Sequence, residues 1–371
     1  MKSNRGVTVD LSSLAANWRS LRARLAKGSE CAAVVKANAY GLGVKPVTES
    51  LLTAGCKCFF VANLEEALEI SAVLPTYAAL YVLSGCREGE EAAFLEQKFQ
   101  PVIVSLAMFE RWLAACKKSN LAGACALKIN TGMNRLGMEL AELSELSSSP
   151  EKIQKAGVNL LMSHLACADE PGHELNTIQL QRFCEAGEKF KTLFPATKLS
   201  LAKSAGILLG SEYHFDLVRP GVALYGGQAQ QNTPALKPVV HLNLDVIQAR
   251  TLLAGESVGY GATKKFASDR QIVVLGGGYA DGIFRALGNN MQAWCQGVRI
   301  PCVGRVSMDS LAFDVSDLQE NIRPKEGELV ELLGEHITVN ELAERAGTVS
   351  YEILTSLGAR YPRCFVSSDV S

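Results

Sequence analysis

The sequence predicts an α/β protein: an N-terminal (β/α)8 barrel of the TIM type followed by a mostly β C-terminal domain. Three observations point there. Eight short, apolar, β-rich runs recur in the first ~230 residues with amphipathic stretches between them, which is the size and rhythm of such a barrel. The runs are continuously apolar, as buried parallel strands should be. After about Pro238 the alternation stops, and β segments follow one another with glycine and proline punctuation. The spans expected are residues 1–10 as a strand packing with the C-terminal domain, 11–235 as the barrel and 236–371 as the β-rich domain.

In chain order, GVTVD (6–10) reads as a strand ahead of a helix starting near Leu11. The barrel strands are AAVV (32–35), CFFVA (58–62), LYVLS (80–84), PVIVS (101–105), ACALKI (124–129), NLLMSH (159–164), LSLAK (199–203) and FDLV (215–218). Helix signals lie between them. Asn63 is an N-cap candidate with Glu65 and Glu66 in the first turn. The stretch 105–119 opens on Ser105 and carries its lysines at the C-terminal end, where the helix dipole favours cations. Gly55 and Gly123 follow helical segments where a terminating glycine belongs. A doubly wound sheet is the alternative, but the turn after the first strand, KANAYGLG, is not GxGxxG. In the second domain, residues 238–250, 271–282, 297–315 and 327–339 read as β, and VNELAERAG (339–347) as a short helix. LGGGYADG is a turn rather than a nucleotide loop, because no helix pattern follows it.

Composition excludes several roles. The formal net charge is −1, which argues against nucleic acid or an anionic membrane as the main partner. No apolar run reaches the ~18 residues of a membrane span. The start, MKSNRGVTVDLSS, lacks the apolar core of a signal peptide, so a cytoplasmic location is expected. The 11 cysteines form no CxxC pair and sit in apolar surroundings such as those of Cys31, Cys125 and Cys302, which reads as reduced thiols. With 5 histidines and no Cys/His cluster, no metal site is expected.

A TIM barrel builds its active site at the C-terminal ends of its strands. Lys36 follows strand one, Arg135 lies after strand five, His164 ends strand six, Ser204 follows strand seven and Arg219 follows strand eight. Each has an ordinary reading as a loop cap or a structural group. Lys36 in particular could end a strand that runs out into solvent. Five such groups at one inferred mouth favour a site.

The motifs AVVKANAYGLG (33–43), KINTGMNRLGM (128–138), SHLACADE (163–170), VRPGVALYG (218–226), VGYGATKK (258–265), GYADG (278–282), VGRVSMD (303–309) and YEILTSLGARYPR (351–363) stand in one order across nearly the whole chain. Together they resemble the alanine racemases, pyridoxal-phosphate (PLP) enzymes of the fold-type III amino-acid racemase family. The resemblance implies a homodimer with composite active sites that interconverts L- and D-alanine, supplying D-alanine for cell-wall peptidoglycan. It implies PLP bound covalently to Lys36 as a Schiff base, with Lys36 the base on one face and Tyr260 of the partner subunit the base on the other. The cofactor handles it implies are Tyr40, Ser204, Tyr351 and the backbone amides of Gly221 and Val222 around the phosphate. Arg219 would face the pyridine nitrogen, with His164 hydrogen-bonded to that arginine. Arg135 would hold the substrate carboxylate, and Met308 would contribute its backbone from the second subunit. Lys128 matches a lysine that is carbamylated in some relatives; a plain strand lysine in a salt bridge is the other reading. A racemase of serine or lysine, a PLP-dependent decarboxylase on the same barrel and a non-catalytic PLP-binding protein are the alternatives. TGMNRLG and VGYGAT favour the racemase over the decarboxylase, and the carrier has no use for Tyr260.

Overall fold

The computed structural model describes residues 5–119, 121 and 123–367. The first four residues, on which the leader reading partly rests, and the last four of the third expected span, 236–371, lie outside them.

Parallel strands build the barrel in sequence order: Ala33–Val34, Cys58–Val61, Ala79–Val82, Gln100–Ile103, Cys125–Lys128, Val158–Met162 and Lys198–Ser200. The eighth strand, Leu217–Val218, pairs in parallel with Glu30–Cys31, the opening stretch of the first strand. Hydrogen bonds from Asp216 N–H to Leu199 O (3.0 Å) and from Arg219 N–H to Ala202 O (2.9 Å) join it to strand seven and close the ring. Phe59, Phe60, Val102, Ile103, Leu127 and Leu160 are wholly buried, which is why these strands read as unbroken apolar runs. The helix Leu64–Ser71 begins as expected, with the Asn63 side chain accepting from Glu66 N–H at 3.0 Å. Ser105 Oγ likewise accepts from Met108 N–H (3.3 Å) at the start of Leu106–Ser119. Gly55, at φ 104°, ends the helix Val44–Thr53. Gly123 does not act as a left-handed cap. Its carbonyl lies where a side chain on Gly157 would fall, and Gly157 (φ 72°) is itself the cap of Pro150–Ala156.

The second body of structure is an antiparallel-rich sheet organised by one long strand, Val240–Leu252. A register shift between Val246 and Gln248 bends it. Its first half pairs with Leu329–Leu333 on one side and with Gly6–Asp10 on the other; its second half pairs with Arg270–Gly276, beyond which lies Ser310–Asp314. Gly6–Asp10 is also paired, in parallel, with the last strand, Arg363–Val366. LGGGYADG is the end of a strand followed by the single turn Tyr279–Asp281.

Asp10 ends the first strand and starts the first helix, Leu11–Ala23. Its carboxylate accepts from Ser12 N–H, Ser13 N–H and Ser13 Oγ, each at 2.9 Å. Replacing it with alanine strands those donors and removes an N-cap, a loss of about 1–2 kcal/mol. Thermal unfolding of Asp10→Ala followed by circular dichroism is expected to fall by roughly 2–6 °C; an unchanged midpoint would refute the capping role.

Among the described residues, no helix is long and apolar enough to cross a membrane, and no group of three or more His, Cys, Asp or Glu could hold a metal ion.

Candidate active site

The strand ends of the barrel open into a cavity of about 500 Å3. Lys36, Lys128, Arg135, Lys203 and Arg219 line it, and no carboxylate does. Tyr40, His164, Ser204, Gly221, Val222 and Tyr351 line it too. Loops distant in sequence therefore converge on one basic chamber, a place for an anion of more than one charge.

Lys36 enters from the end of strand one through a turn of unusual hand. Ala37, Asn38, Ala39 and Tyr40 have φ between 53° and 57°, the left-handed helical region. Each such L-residue costs about 1–2 kcal/mol relative to right-handed backbone. The turn is pinned by its surroundings. Ala37 N–H donates to Glu66 Oε1 (2.7 Å), and the other oxygen of Glu66 accepts from Ala62 N–H (2.7 Å) at the end of strand two. Asn38 Oδ1 accepts from Val44 N–H at 2.7 Å. Sequence reasoning placed Glu66 only in a helix first turn; its carboxylate in fact bridges two strand ends beside Lys36. Burial lowers the Lys36 pKa below the ordinary lysine value, the neighbouring Arg135 guanidinium lowers it further, and Glu66 opposes them.

One side of the chamber is a cradle of neutral donors. Ser204 Oγ accepts from Gly221 N–H (2.8 Å) and Ala223 N–H (3.4 Å), which leaves its own proton to donate. The Tyr40 hydroxyl presses so close to Gly221 that a side chain there would collide with it. Tyr40 packs on Tyr225 (ring centroids 4.6 Å apart), whose hydroxyl donates to Val34 O at 2.9 Å. Tyr351 stands 6.0 Å from Tyr40, ring to ring. Burial pushes both phenols up, Tyr351 to about 12 with help from the negative charge of Asp169, so each keeps its proton at neutral pH. Tyr225, Glu66 and Lys203 carry part of this architecture and were not singled out as site residues. A lysine 3.7 Å from Asp169 Oδ1 is an ordinary surface pattern until the fold places it on the chamber wall.

On another wall, Arg219 is 4% exposed and its donors go to Ser200 Oγ, Ser163 O (2.6 Å) and Leu201 O (3.3 Å). The expected hydrogen bond with the His164 ring is not among them; the ends of strands six and seven supply the acceptors instead. Burial depresses Arg219 to about 10, still charged at neutral pH. His164 is held well below the usual histidine range by burial and by Arg219, and is therefore neutral. Its carbonyl accepts from Gln179 Nε2 (2.9 Å), a wholly buried amide that also binds Thr131 Oγ1 and Ala166 N–H. Arg135 is exposed at the rim. Its loop is built by Asn130, whose side chain bonds Gly132 N–H, Asn134 and Glu139 at 2.9–3.1 Å. Lys128, 8% exposed, is depressed to about 8 by burial and by three cations, Arg219, Arg135 and Lys36.

Two expected site residues lie outside this chamber. Tyr260 is 71% exposed and Met308 52% exposed, both in the second domain. The loop of Tyr260 packs on Arg305 at Gly261, and Tyr279 and Ala280 donate to Ser307 O and Met308 O. Tyr279, next to Met308 through that backbone bond of Ala280, is likewise exposed.

The model for "Alanine racemase, N-terminal domain" matches residues 9–229, and that for "Alanine racemase, C-terminal domain" matches residues 239–365. Alanine racemase of Rhodospirillum rubrum is 47% identical over 359 residues, 96% of this chain and 94% of that protein. The catabolic alanine racemase of Agrobacterium fabrum is 42% identical over 98% of this chain and 93% of its own length. The crystal structure of alanine racemase from Bartonella henselae with covalently bound pyridoxal phosphate superimposes with a TM-score of 0.90 at 38% identity, covering 98% of this chain and 100% of that one. With both family models matching in order, and with close relatives aligned almost end to end, the chain belongs to the alanine racemase family.

Proposed function

We propose that the protein interconverts L- and D-alanine with pyridoxal phosphate held on the Lys36 side chain, as a homodimer whose Tyr260 completes the partner's site. In a cell this supplies D-alanine for peptidoglycan. The observation that carries the reading is the single basic chamber into which Lys36, Arg135, Arg219 and the neutral cradle of Tyr40, Ser204 and Tyr351 all open.

The donor set fits the cofactor. A phosphate dianion suits Ser204 O–H, the two protonated phenols and the amides at Gly221 and Val222. The Gly221 N–H donates to Ser204 Oγ at 2.8 Å here and would exchange that acceptor for the phosphate. Arg219, charged even at a pKa of about 10, is a donor for the pyridine nitrogen that does not surrender its proton. When bound, pyridoxal phosphate supplies the electron sink that lets the α-proton leave.

The rest is the work of this chain. Arg135, at the rim, orients the substrate carboxylate by charge. Lys36, whose pKa burial and Arg135 lower, takes or returns a proton at Cα from one face. Tyr260 of the partner subunit, exposed in the isolated chain, does the same from the opposite face, with Met308 beside it. Neutral His164 adds no further charge next to Arg219. Lys128 is surrounded by cations and meets no carboxylate, which favours the carbamylated form over a plain salt-bridged lysine. Its new negative charge then orients Arg135.

The reaction requires a neutral Lys128 amine. At pH 7 a pKa of about 8 leaves roughly one amine in ten neutral, against fewer than one in a thousand for an ordinary lysine near ~10.4. Mass spectrometry and 13C NMR in labelled bicarbonate should show a carbamate on Lys128 that grows as pH rises from 6 to 9 and is absent in Lys128→Arg. No carbamate at pH 9 would return Lys128 to the plain reading.

The activity is tested by supplying the purified protein with pyridoxal phosphate and, separately, L-alanine, L-serine and L-lysine, and following optical rotation. Rotation should decay fastest with alanine. Release of CO2 instead would assign a decarboxylase, and no turnover at all would assign a non-catalytic binder.

A further inference from the structure

The left-handed turn that carries Lys36 and Tyr40 is held at its far end by the other end of the chain. Gly41, at φ 82°, closes the turn, and its carbonyl accepts from Arg363 Nε at 3.1 Å. Three more of its five N–H donors are engaged. Nη1 donates to Gly358 O (2.6 Å) and Tyr361 O (2.9 Å), and Nη2 to Leu357 O (2.7 Å). Three carbonyls of one segment thus fix the fork, and the fourth donor is aimed at Gly41. Two residues on, from the same face of the strand Arg363–Val366, the Phe365 ring stands 2.8 Å from where a Gly43 side chain would begin. The helix Ser350–Ser356 meets Gly41 as well: its Leu354 carbonyl lies 2.9 Å from a Gly41 Cβ position. That helix also delivers Tyr351 to the chamber. Residues 350–366 therefore touch the lysine turn and the cradle at once.

We infer that Arg363 is a positioning residue, which locks the left-handed turn by its Gly41 carbonyl and so sets the placement of Lys36 and Tyr40 in the chamber. It lies outside the chamber lining and works through backbone alone. The geometry calls for a guanidinium. Four carbonyls are bound by a planar fork with no carboxylate in the set, and an ammonium on a flexible stem cannot reproduce that spread. Without the fork the Gly41 carbonyl loses its partner, and a turn of unfavourable hand has less to hold it. The consequence for the cofactor rests on the reading of Lys36 and Tyr40 given above; the consequence for the turn does not.

The test uses the full-length Arg363→Lys protein, with Arg363→Met as a second variant. Hydrogen exchange on cofactor-free protein reports the turn through Leu42, Gly43 and Val44, whose amides donate to Ala39 O, Asn38 O and Asn38 Oδ1. Strand Cys58–Val61 serves as the internal reference. Exchange at 42–44 should accelerate by roughly tenfold or more in both variants, the loss expected for a hydrogen bond to a charged group, with the reference strand unchanged. The dissociation constant for pyridoxal phosphate, read by absorbance, should rise by a similar factor. Wild-type exchange rates at 42–44 in Arg363→Lys would overturn the inference. So would acceleration spread evenly over both regions, which would mark a general loss of stability. If the wild-type protein itself fails to bind pyridoxal phosphate, the functional reading falls, and the exchange comparison still decides the role of Arg363.

Discussion

Lys36→Ala abolishes racemisation and with it the visible absorbance of lysine-bound pyridoxal phosphate. This is the largest single effect expected of any substitution in the chain. Two proposed roles are lost together, the holding of the cofactor and the movement of a proton. Proton transfer by a positioned side chain alone is worth about 10²–10⁴ in rate. Loss of at least ~10⁴ in kcat is therefore expected, measured by optical rotation with a large excess of cofactor. The fold should survive, because alanine fits the half-exposed position and keeps the backbone, and the turn's side-chain support comes from Glu66, which binds the Ala37 amide. Folded Lys36→Ala protein with more than about 1% of wild-type activity would remove Lys36 from the mechanism.

Tyr260→Phe has the second largest effect, and it is lopsided. The ring stays and only the hydroxyl goes, at a position 71% exposed, so stability should be unchanged. Overall racemisation slows by about 10²–10⁴ in both directions, since the equilibrium between enantiomers is fixed. Exchange of the α-proton with solvent separates the two faces. Washout from L-alanine should collapse, whereas washout from D-alanine, served by Lys36, should persist. Equal, small losses from both enantiomers would sink the assignment. The composite site proposed above adds a stricter check. Mixing inactive Lys36→Ala and Tyr260→Phe proteins creates hybrid dimers with one intact site, and roughly a quarter of wild-type activity should return if subunits exchange freely. No recovery, with exchange confirmed, would place both bases on one chain.

Much of this was legible in the sequence, for physical reasons that differ by element. Strands such as 58–61 and 125–128 are covered on both faces, so they stand out as apolar runs without help from neighbours. Asn63 and Ser105 announce their helices because a cap is a local event, settled within three residues. The strand-end rule was enough to bring Lys36, Arg135, His164, Ser204 and Arg219 to one mouth. Tyr40, Tyr351, Tyr260 and Met308 were not readable that way and came only through the family resemblance. The last strand, Arg363–Val366, escaped because its four residues have no alternation of their own; pairing with Val7–Asp10 makes it a strand. The left-handed turn escaped for a sharper reason. Alanine at 37 and 39 has no preference for that hand, and the conformation is imposed by Glu66 and Arg363, which lie 29 and 322 residues away from the amide and carbonyl they bind.

The pairing of Gly6–Asp10 has a consequence for how the protein is made. This strand is made before either of its partners. Val240–Asn243 follows the whole barrel, and Arg363–Val366 comes later still. Until they are made, a strand with buried Val7 and Val9 has neither edge satisfied and stays sticky on a growing chain. The later partner also carries Arg363. A chain stopped ahead of Arg363 can therefore close its barrel while its first strand keeps one edge open and its lysine turn stays unheld. Such truncated products should be easy for cellular proteases to find.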